Sequence, residues 1–194
     1  AAASIALDGA ADVDLATGSV TLDTSAGNGV VTFATAGNVD GAQDLTITSG
    51  SGAVNLSAIG AGTAVGAFDL DSTGTTTVNG NISAGSIAMD GATDVDLATG
   101  AITLSTSAAN GAITLTGGAV DGAQDLTITA GSGAVSLDGM GQSTPVGALD
   151  VDTTGALTFN DGVAAASIAL DGAADVDLAT GAVTLDTSAG NGVV

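Results

Sequence analysis

Short apolar pairs recur along the whole chain, separated by small and polar residues. Within each pair the apolar side chains stand at positions i and i+2, as in Ile5 with Leu7 and Leu45 with Ile47. This period of two predicts β-strands, because successive side chains of a strand point to opposite faces of a sheet. The same spacing occurs at Val13/Leu15, Val20/Leu22, Val31/Phe33, Val54/Leu56, Phe68/Leu70 and Thr76/Val78.

Clusters of Gly, Asn, Asp and Ser separate these pairs. Asn28-Gly29, Ser49 to Gly52 and Asn79-Gly80 are examples. These residues favour tight turns, since they tolerate a positive φ better than other residues do. No stretch combines a helical period with capping residues, so the pattern predicts an all-β chain of very short strands.

The chain is built from repeats of 81–82 residues. Residues 1–31 recur at 164–194 with one change, Ser19 against Ala182, and a looser copy occupies 83–113. The modules are therefore 1–82, 83–163 and a truncated 164–194, within a superrepeat of 163 residues. Because the chain stops inside a module, we expect the parent protein to continue in both directions.

Two architectures fit short strands in a repeated module: an array of β-sandwich domains or one continuous solenoid. Sandwich strands carry longer alternating patterns and a buried Trp or Tyr, and this chain contains neither residue. Two inward side chains per strand suit a narrow coil whose stacked turns share one core. We therefore predict a right-handed parallel β-helix, or β-solenoid, with three-sided coils of about 20–27 residues and no separate domains.

Composition excludes several classes of function. The chain has no Lys, Arg, His, Cys or Glu, and its 21 Asp residues give a net charge of −21. Without cationic side chains it cannot neutralise phosphates, so nucleic-acid binding is not expected. The chain contains no run of 18 apolar residues, so membrane insertion is not expected. Without His or Cys there is no activated nucleophile and no zinc or haem site, so we predict neither an enzyme nor a required cofactor.

Paired aspartates are the strongest candidate for a site. In each pair an apolar residue separates the two carboxylates, which places both on the outer face of one strand. A hydrated anionic wall explains them simply. Calcium binding is the alternative, since aligned carboxylates about 5 Å apart would repel by roughly 3–4 kcal/mol at an effective dielectric near 20. The pairs are Asp12 with Asp14, Asp69 with Asp71, Asp94 with Asp96, Asp150 with Asp152, and Asp175 with Asp177.

Two further interpretations of the pattern are weaker. A carboxylate-pair active site is disfavoured because the pairs recur in every module, whereas an active site is normally unique. Thr-x-Thr pairs indicate an ice- or surface-binding solenoid when they form regular ladders, but here their spacing along the chain is irregular. They occur at Thr46/Thr48, Thr75/Thr77, Thr114/Thr116 and Thr127/Thr129.

Recurring phrases carry a resemblance to a known family. They are GNGVVTF at 27–33, VDGAQDLTIT at 39–48, GSGAVNL at 50–56, VGAFDLDSTG at 65–74 and VNGNIS at 78–83. The chain resembles the large repetitive bacterial surface proteins of the filamentous-haemagglutinin type. That resemblance implies a right-handed parallel β-helix, export across the cell envelope, and a role in adhesion or cell-surface fibres.

Together these observations predict a structural extracellular filament or adhesin shaft, secreted and attached to a bacterial cell surface. Its partner would be itself, by head-to-tail or lateral assembly, and the sequence identifies no host or surface ligand. A calcium-dependent matrix or S-layer-like protein, binding Ca²⁺ through the Asp pairs, is the first alternative. An ice- or surface-binding solenoid is the second.

Overall fold

A computed structural model describes residues 1–7, 9, 11–33, 37–179 and 181–194. Over these ranges the chain contains strands and no helix, and its parallel sheets stack into a β-solenoid of about eight turns. The predicted all-β solenoid is therefore confirmed. Within the described ranges there is accordingly no helix of the length and hydrophobicity needed to cross a bilayer.

Each strand pairs in parallel with strands one turn away along the chain, which gives the coil three faces. Face 1 contains β1 (Ile5–Ala6), β4 (Val31–Thr32), β7 (Val54–Leu56), β10 (Thr75–Val78), β12 (Asp94–Leu97), β15 (Ala119–Asp121), the start of β20 (Val163–Asp171) and β22 (Leu185–Asp186). Met140 bridges β15 and β20 on this face.

Faces 2 and 3 are built in the same way, and β11 turns the corner from one to the other. Face 2 contains β2 (Asp12–Asp14), β5 (Asn38–Asp40), β8 (Ala58–Ile59), the start of β11 (Ile82–Met89), β13 (Ile102–Ser105), β16 (Leu126–Gly131), β18 (Val146–Thr153) and the rest of β20. Face 3 contains β3 (Val20–Asp23), β6 (Leu45–Gly50), β9 (Val65–Ser72), the rest of β11, β14 (Ile113–Leu115), β17 (Val135–Leu137), β19 (Ala156–Phe159) and β21 (Asp175–Leu178).

The sequence module and the three-sided coil do not share a period. Turn length varies with the corners: Ile5 pairs with Val31, a turn of 26 residues, whereas Thr76 pairs with Val95, a turn of 19. The shortest turns thus fall just below the predicted range. Equivalent isoleucines of successive modules lie eleven strand positions apart, which is three and two-thirds turns. Because eleven is not a multiple of three, these isoleucines lie on different faces. They are Ile5 on face 1, Ile87 on face 3 and Ile168 on face 2.

The core is one continuous apolar cluster whose buried members run from Leu15 to Ile168. The apolar pairs of the sequence supply it, and Phe33, Phe68 and Phe159 are its largest fully buried side chains. Both module boundaries fall within or next to a continuous strand, since β11 runs through the first and β20 through the second. Burial of each Val, Leu or Ile side chain contributes about 1.5–3 kcal/mol, and this contribution depends on the turns above and below.

One position in the core ladder of face 1 has a buried hydroxyl group. Thr76 lies in the face 1 ladder between Val54 and Val95 and is fully buried, with 0% of its surface exposed. Its Oγ1 has no hydrogen-bond partner among the described residues. An unpartnered buried hydroxyl opposes folding, because it loses water without gaining a partner. Leu157 holds the equivalent place in the second module.

The predicted Asn-Gly corners bring adjacent turns into close contact. Asn110 has a φ of 57°, a left-handed conformation that Asn tolerates. The following Gly111 lies so close to the turn below that a Cβ there would stand 1.7 Å from the carbonyl oxygen of Gly85. Thr106 Oγ1 closes the corner by donating to the carbonyl of Gly111 at 2.6 Å. Glycine is therefore required at this corner by contact between turns.

Candidate functional surface

The paired aspartates all lie on outward positions of their strands, as the sequence predicts. The apolar residue between them is buried in the three middle pairs, at Leu70, Val95 and Val151. The coil distributes the pairs over all three faces. Face 1 has one pair, Asp94 with Asp96. Face 2 has two pairs, Asp12 with Asp14 and Asp150 with Asp152. Face 3 also has two pairs, Asp69 with Asp71 and Asp175 with Asp177.

In the described register no pair is stacked directly on another pair. Instead, the second carboxylate of a pair often stands beside a single aspartate of the next turn. The register places Asp14 beside Asp40 on face 2 and Asp96 beside Asp121 on face 1. Asp152 stands beside Asp171 in the same way. Like charges thus meet in small groups separated by Thr, Ser and Ala, and long carboxylate ladders do not form.

The last pair differs from the others, because it lies on the final described strand of its face. Asp175 stands beside Ala156 and Asp177 beside Thr158, so the paired strand brings no carboxylate next to either of them. All four residues of β21 are exposed, and Val176, between the two aspartates, is 43% exposed whereas Leu70, Val95 and Val151 are buried, because no described strand stacks on β21.

The group on face 1 shows the electrostatic cost of grouped carboxylates. Burial raises the pKa of Asp94, and the negative charges of Asp96 and Asp121 raise it further. Asp94 Oδ1 is buried without a hydrogen-bond partner in the described structure. On face 3, burial raises the pKa of Asp69 in the same direction, with Asp90 and Asp71 adding to the effect. Each shift disfavours the charged carboxylate, because desolvation and like charge both oppose ionisation.

The carboxylates that do stand near one another do not converge. No group of three or more acidic side chains within the described ranges is arranged to hold a metal ion. Side chains on a sheet stand roughly perpendicular to it, so carboxylates of adjacent strands run side by side and do not point at a common centre. Calcium ordinarily takes six to eight oxygens. Calcium binding by the Asp pairs stays a prediction, and the described geometry gathers none of them, from Asp12 to Asp177, into a ligand set.

A second set of aspartates, whose role the strand pattern did not predict, ties adjacent turns together. Asp121 is only 4% exposed, and its Oδ1 accepts hydrogen bonds from the backbone N–H groups of Ser143 at 2.8 Å and Thr144 at 2.9 Å. Asp40 makes the equivalent contacts in the first module, with the N–H groups of Gly62 and Thr63, both at 2.8 Å. These carboxylates hold the corner of the following turn.

The last aspartate of the same VDGAQD phrase has a related role. Asp44 Oδ1 accepts from the N–H of Ala67 at 2.8 Å, and Asp125 Oδ1 accepts from Ala148 N–H at 2.7 Å. The Ala67 hydrogen bond, assisted by the Ser19 hydroxyl, lowers the pKa of Asp44. The signal was present in the sequence, because the phrase occurs in both modules and Asp is a residue that often bonds to nearby backbone.

The Thr-x-Thr pairs are distributed as widely as the Asp pairs. Thr75/Thr77 lie on face 1, Thr127/Thr129 on face 2, and Thr46/Thr48 and Thr114/Thr116 on face 3. On face 3 the register places Asp69 beside Thr46 and then Ala88 beside Asp69. The hydroxyl ladder is therefore interrupted within three turns. A flat, regular Thr surface, which an ice-binding role would need, is absent from the described register.

Two adjoining grooves of about 350 and 280 Å³ run from the second module into the third and share Gln142 and Asp161. Their carboxylates are engaged with backbone: Asp138 accepts from Gly117 N–H at 2.7 Å, and Asp161 accepts from Gly162 N–H at 2.7 Å. The grooves offer hydrogen-bond acceptors on a floor of small residues.

Comparison of the chain with protein-family models, with curated proteins and with solved structures finds no match.

Proposed function

We propose that this chain forms part of a structural extracellular filament or adhesin shaft on a bacterial cell surface, of the filamentous-haemagglutinin-like type. The supporting observation is the unbroken ladder, in which one aliphatic core and three parallel sheets continue through both module boundaries. A chain of separate domains would have a linker at each boundary. A continuous ladder transmits load along the axis through every turn and resists bending.

Repetition makes the length of such a rod proportional to the number of modules. Parallel strands stack about 4.8 Å apart, so three and two-thirds turns add about 18 Å per module. The outer wall of Asp, Thr and Ser keeps the rod hydrated and anionic. Since Lys and Arg are absent, the rod also resists trypsin-like proteases, which cleave after those residues.

Self-association is part of the proposal. Strands at the two ends of a solenoid have unpaired N–H and C=O groups that can pair with another copy. A copy stacked on an end strand would pair with these groups, which is the head-to-tail association proposed here.

Electron microscopy of arrays with two, four and six modules tests the shaft. We expect smooth rods whose contour length grows by about 18 Å per module and whose width stays constant. Small-angle scattering on the same arrays gives an independent cross-section. Bead-like particles, or a width that grows with module number, would contradict the proposal. A freely jointed chain, with length scaling as the square root of module number, would contradict it as well.

A further inference from the structure

The charge of this solenoid, expressed per unit length, is that of a strong polyelectrolyte. The sequence has 21 carboxylates and no Lys, Arg or His, and about eight turns span about 38 Å at the usual strand spacing. The axial spacing is therefore about one negative charge per 1.8 Å, close to the 1.7 Å of double-stranded DNA. In water two unit charges interact with thermal energy at about 7 Å, which is about four times this axial spacing. A line of charge this dense keeps a condensed counterion atmosphere, as DNA does.

The mismatch between module and coil spreads this charge around the rod. Successive Asp-x-Asp pairs are separated by seven and then four strand positions, and each of these steps moves the next pair forward by one face. The pairs thus follow the order face 2, face 3, face 1, face 2, face 3. After three modules, or eleven turns, each motif returns to its starting face. No face is left neutral, and none concentrates the charge.

The local geometry argues against discrete cages for the neutralising cations. Carboxylates of adjacent strands stand side by side, and none of the described groups is arranged to hold a metal ion. Burial raises the pKa of Asp69 and of Asp94, and repulsion from neighbouring carboxylates raises both further. A rod with this charge density and no cages holds its cations as a mobile atmosphere.

We infer that this solenoid binds linear polycations, such as Lys- or Arg-rich protein segments, along its whole length by releasing condensed counterions. The inference rests on the fold and the charge and does not depend on the proposed shaft function. Binding of this kind is weakly selective for sequence, is shared by all three faces and depends steeply on salt. It gives an anionic fibre a means of capturing basic segments of other proteins without a dedicated pocket.

A deca-lysine peptide titrated into the 194-residue chain by calorimetry is the direct test. For six to ten neutralised charges we expect the affinity to fall by about 10³–10⁵-fold between 50 and 200 mM salt. Deca-glutamate should not bind. An affinity that is the same at both salt concentrations, or no binding at 50 mM, would overturn the inference.

Two variants with equal charge loss separate a diffuse charge effect from a local site. The first removes four carboxylates from face 2 by D12N, D14N, D150N and D152N. The second removes four from face 3 by D69N, D71N, D175N and D177N. None of these eight carboxylates accepts a hydrogen bond within the described structure, so circular dichroism should show both variants folded. We expect equal losses of deca-lysine affinity, within about twofold, since both leave the same linear charge density.

The outcomes are distinguishable. A large loss in one variant alone would indicate a local site on the face that differs between them, and would overturn the inference. Calcium supplies a further check. Saturation at a small fixed number of ions that persists in 1 M salt would reveal discrete sites and overturn the inference, whereas uptake that disappears as salt rises supports a mobile atmosphere.

Discussion

Substitution of Thr76 by Val should stabilise the solenoid. The two side chains have nearly the same shape, so the exchange replaces an unpartnered buried hydroxyl with a methyl group in the ladder between Val54 and Val95. Leaving such a group unpaired costs about 1–3 kcal/mol. We therefore expect the free energy of unfolding to rise by about 1–3 kcal/mol, with about 2–4 °C in melting temperature for each kcal/mol.

Urea unfolding followed by far-UV circular dichroism measures the change, and amide hydrogen exchange localises it. Localisation matters because a solenoid can lose its turns separately. Added protection should centre on β10 and its neighbours β7 and β12.

Thr77→Val is the matched control, since it makes the same chemical change at the next residue, which points outward and is half-buried. Its effect should stay within about 0.5 kcal/mol. If Thr76→Val lowers stability, or if the two variants shift alike, the Thr76 hydroxyl has a partner in solution and the reasoning is refuted.

The same contacts give three further predictions. Thermal melts between neutral pH and about pH 4.5 should show a rising melting temperature on acidification. The pKa values of Asp69 and Asp94 lie above the ordinary 3.8. The native state therefore binds more protons than the unfolded state in that window, and stability falls as pH rises through it. A melting temperature that falls steadily on acidification over that range would contradict the prediction. Asp121→Ala should lower the free energy of unfolding in urea by about 2–3 kcal/mol, because two backbone N–H groups lose their acceptor. Asp121→Asn keeps a carbonyl oxygen and should lower it by about half as much. Equal losses in the two variants would argue against the hydrogen-bonding role. Gly111→Ala should prevent normal stacking, since its Cβ would meet a backbone oxygen at 1.7 Å. Gly27→Ala is the control and should fold normally, because its Cβ would be 3.9 Å from the nearest neighbouring atom. Amide hydrogen exchange at the affected corner distinguishes the two, and full protection in Gly111→Ala would contradict the prediction by showing that the turns separate easily.

Local features of the sequence were sufficient to predict which side chains enter the core. Ile47 and Leu70 are buried because alternation along a strand is a property of the strand itself. The same local rule placed Asp69 and Asp71 on the outside. Very short strands without a Trp or Tyr were enough to predict a solenoid, because two inward side chains per strand can be covered only by stacked turns.

Contacts between turns were decided only by the tertiary structure. The sequence shows an 81–82 residue repeat, but whether that repeat fits a whole number of turns depends on corner lengths, and those corners pack differently from one turn to the next. The neighbours of each Asp pair follow from the same phase, which brings Asp96 beside Asp121 and Asp152 beside Asp171. The role of Asp121 was hidden for this reason too, since its partners Ser143 and Thr144 lie one turn away. Strand periodicity is encoded over a few residues, whereas register and phase are encoded by packing between segments about twenty residues apart.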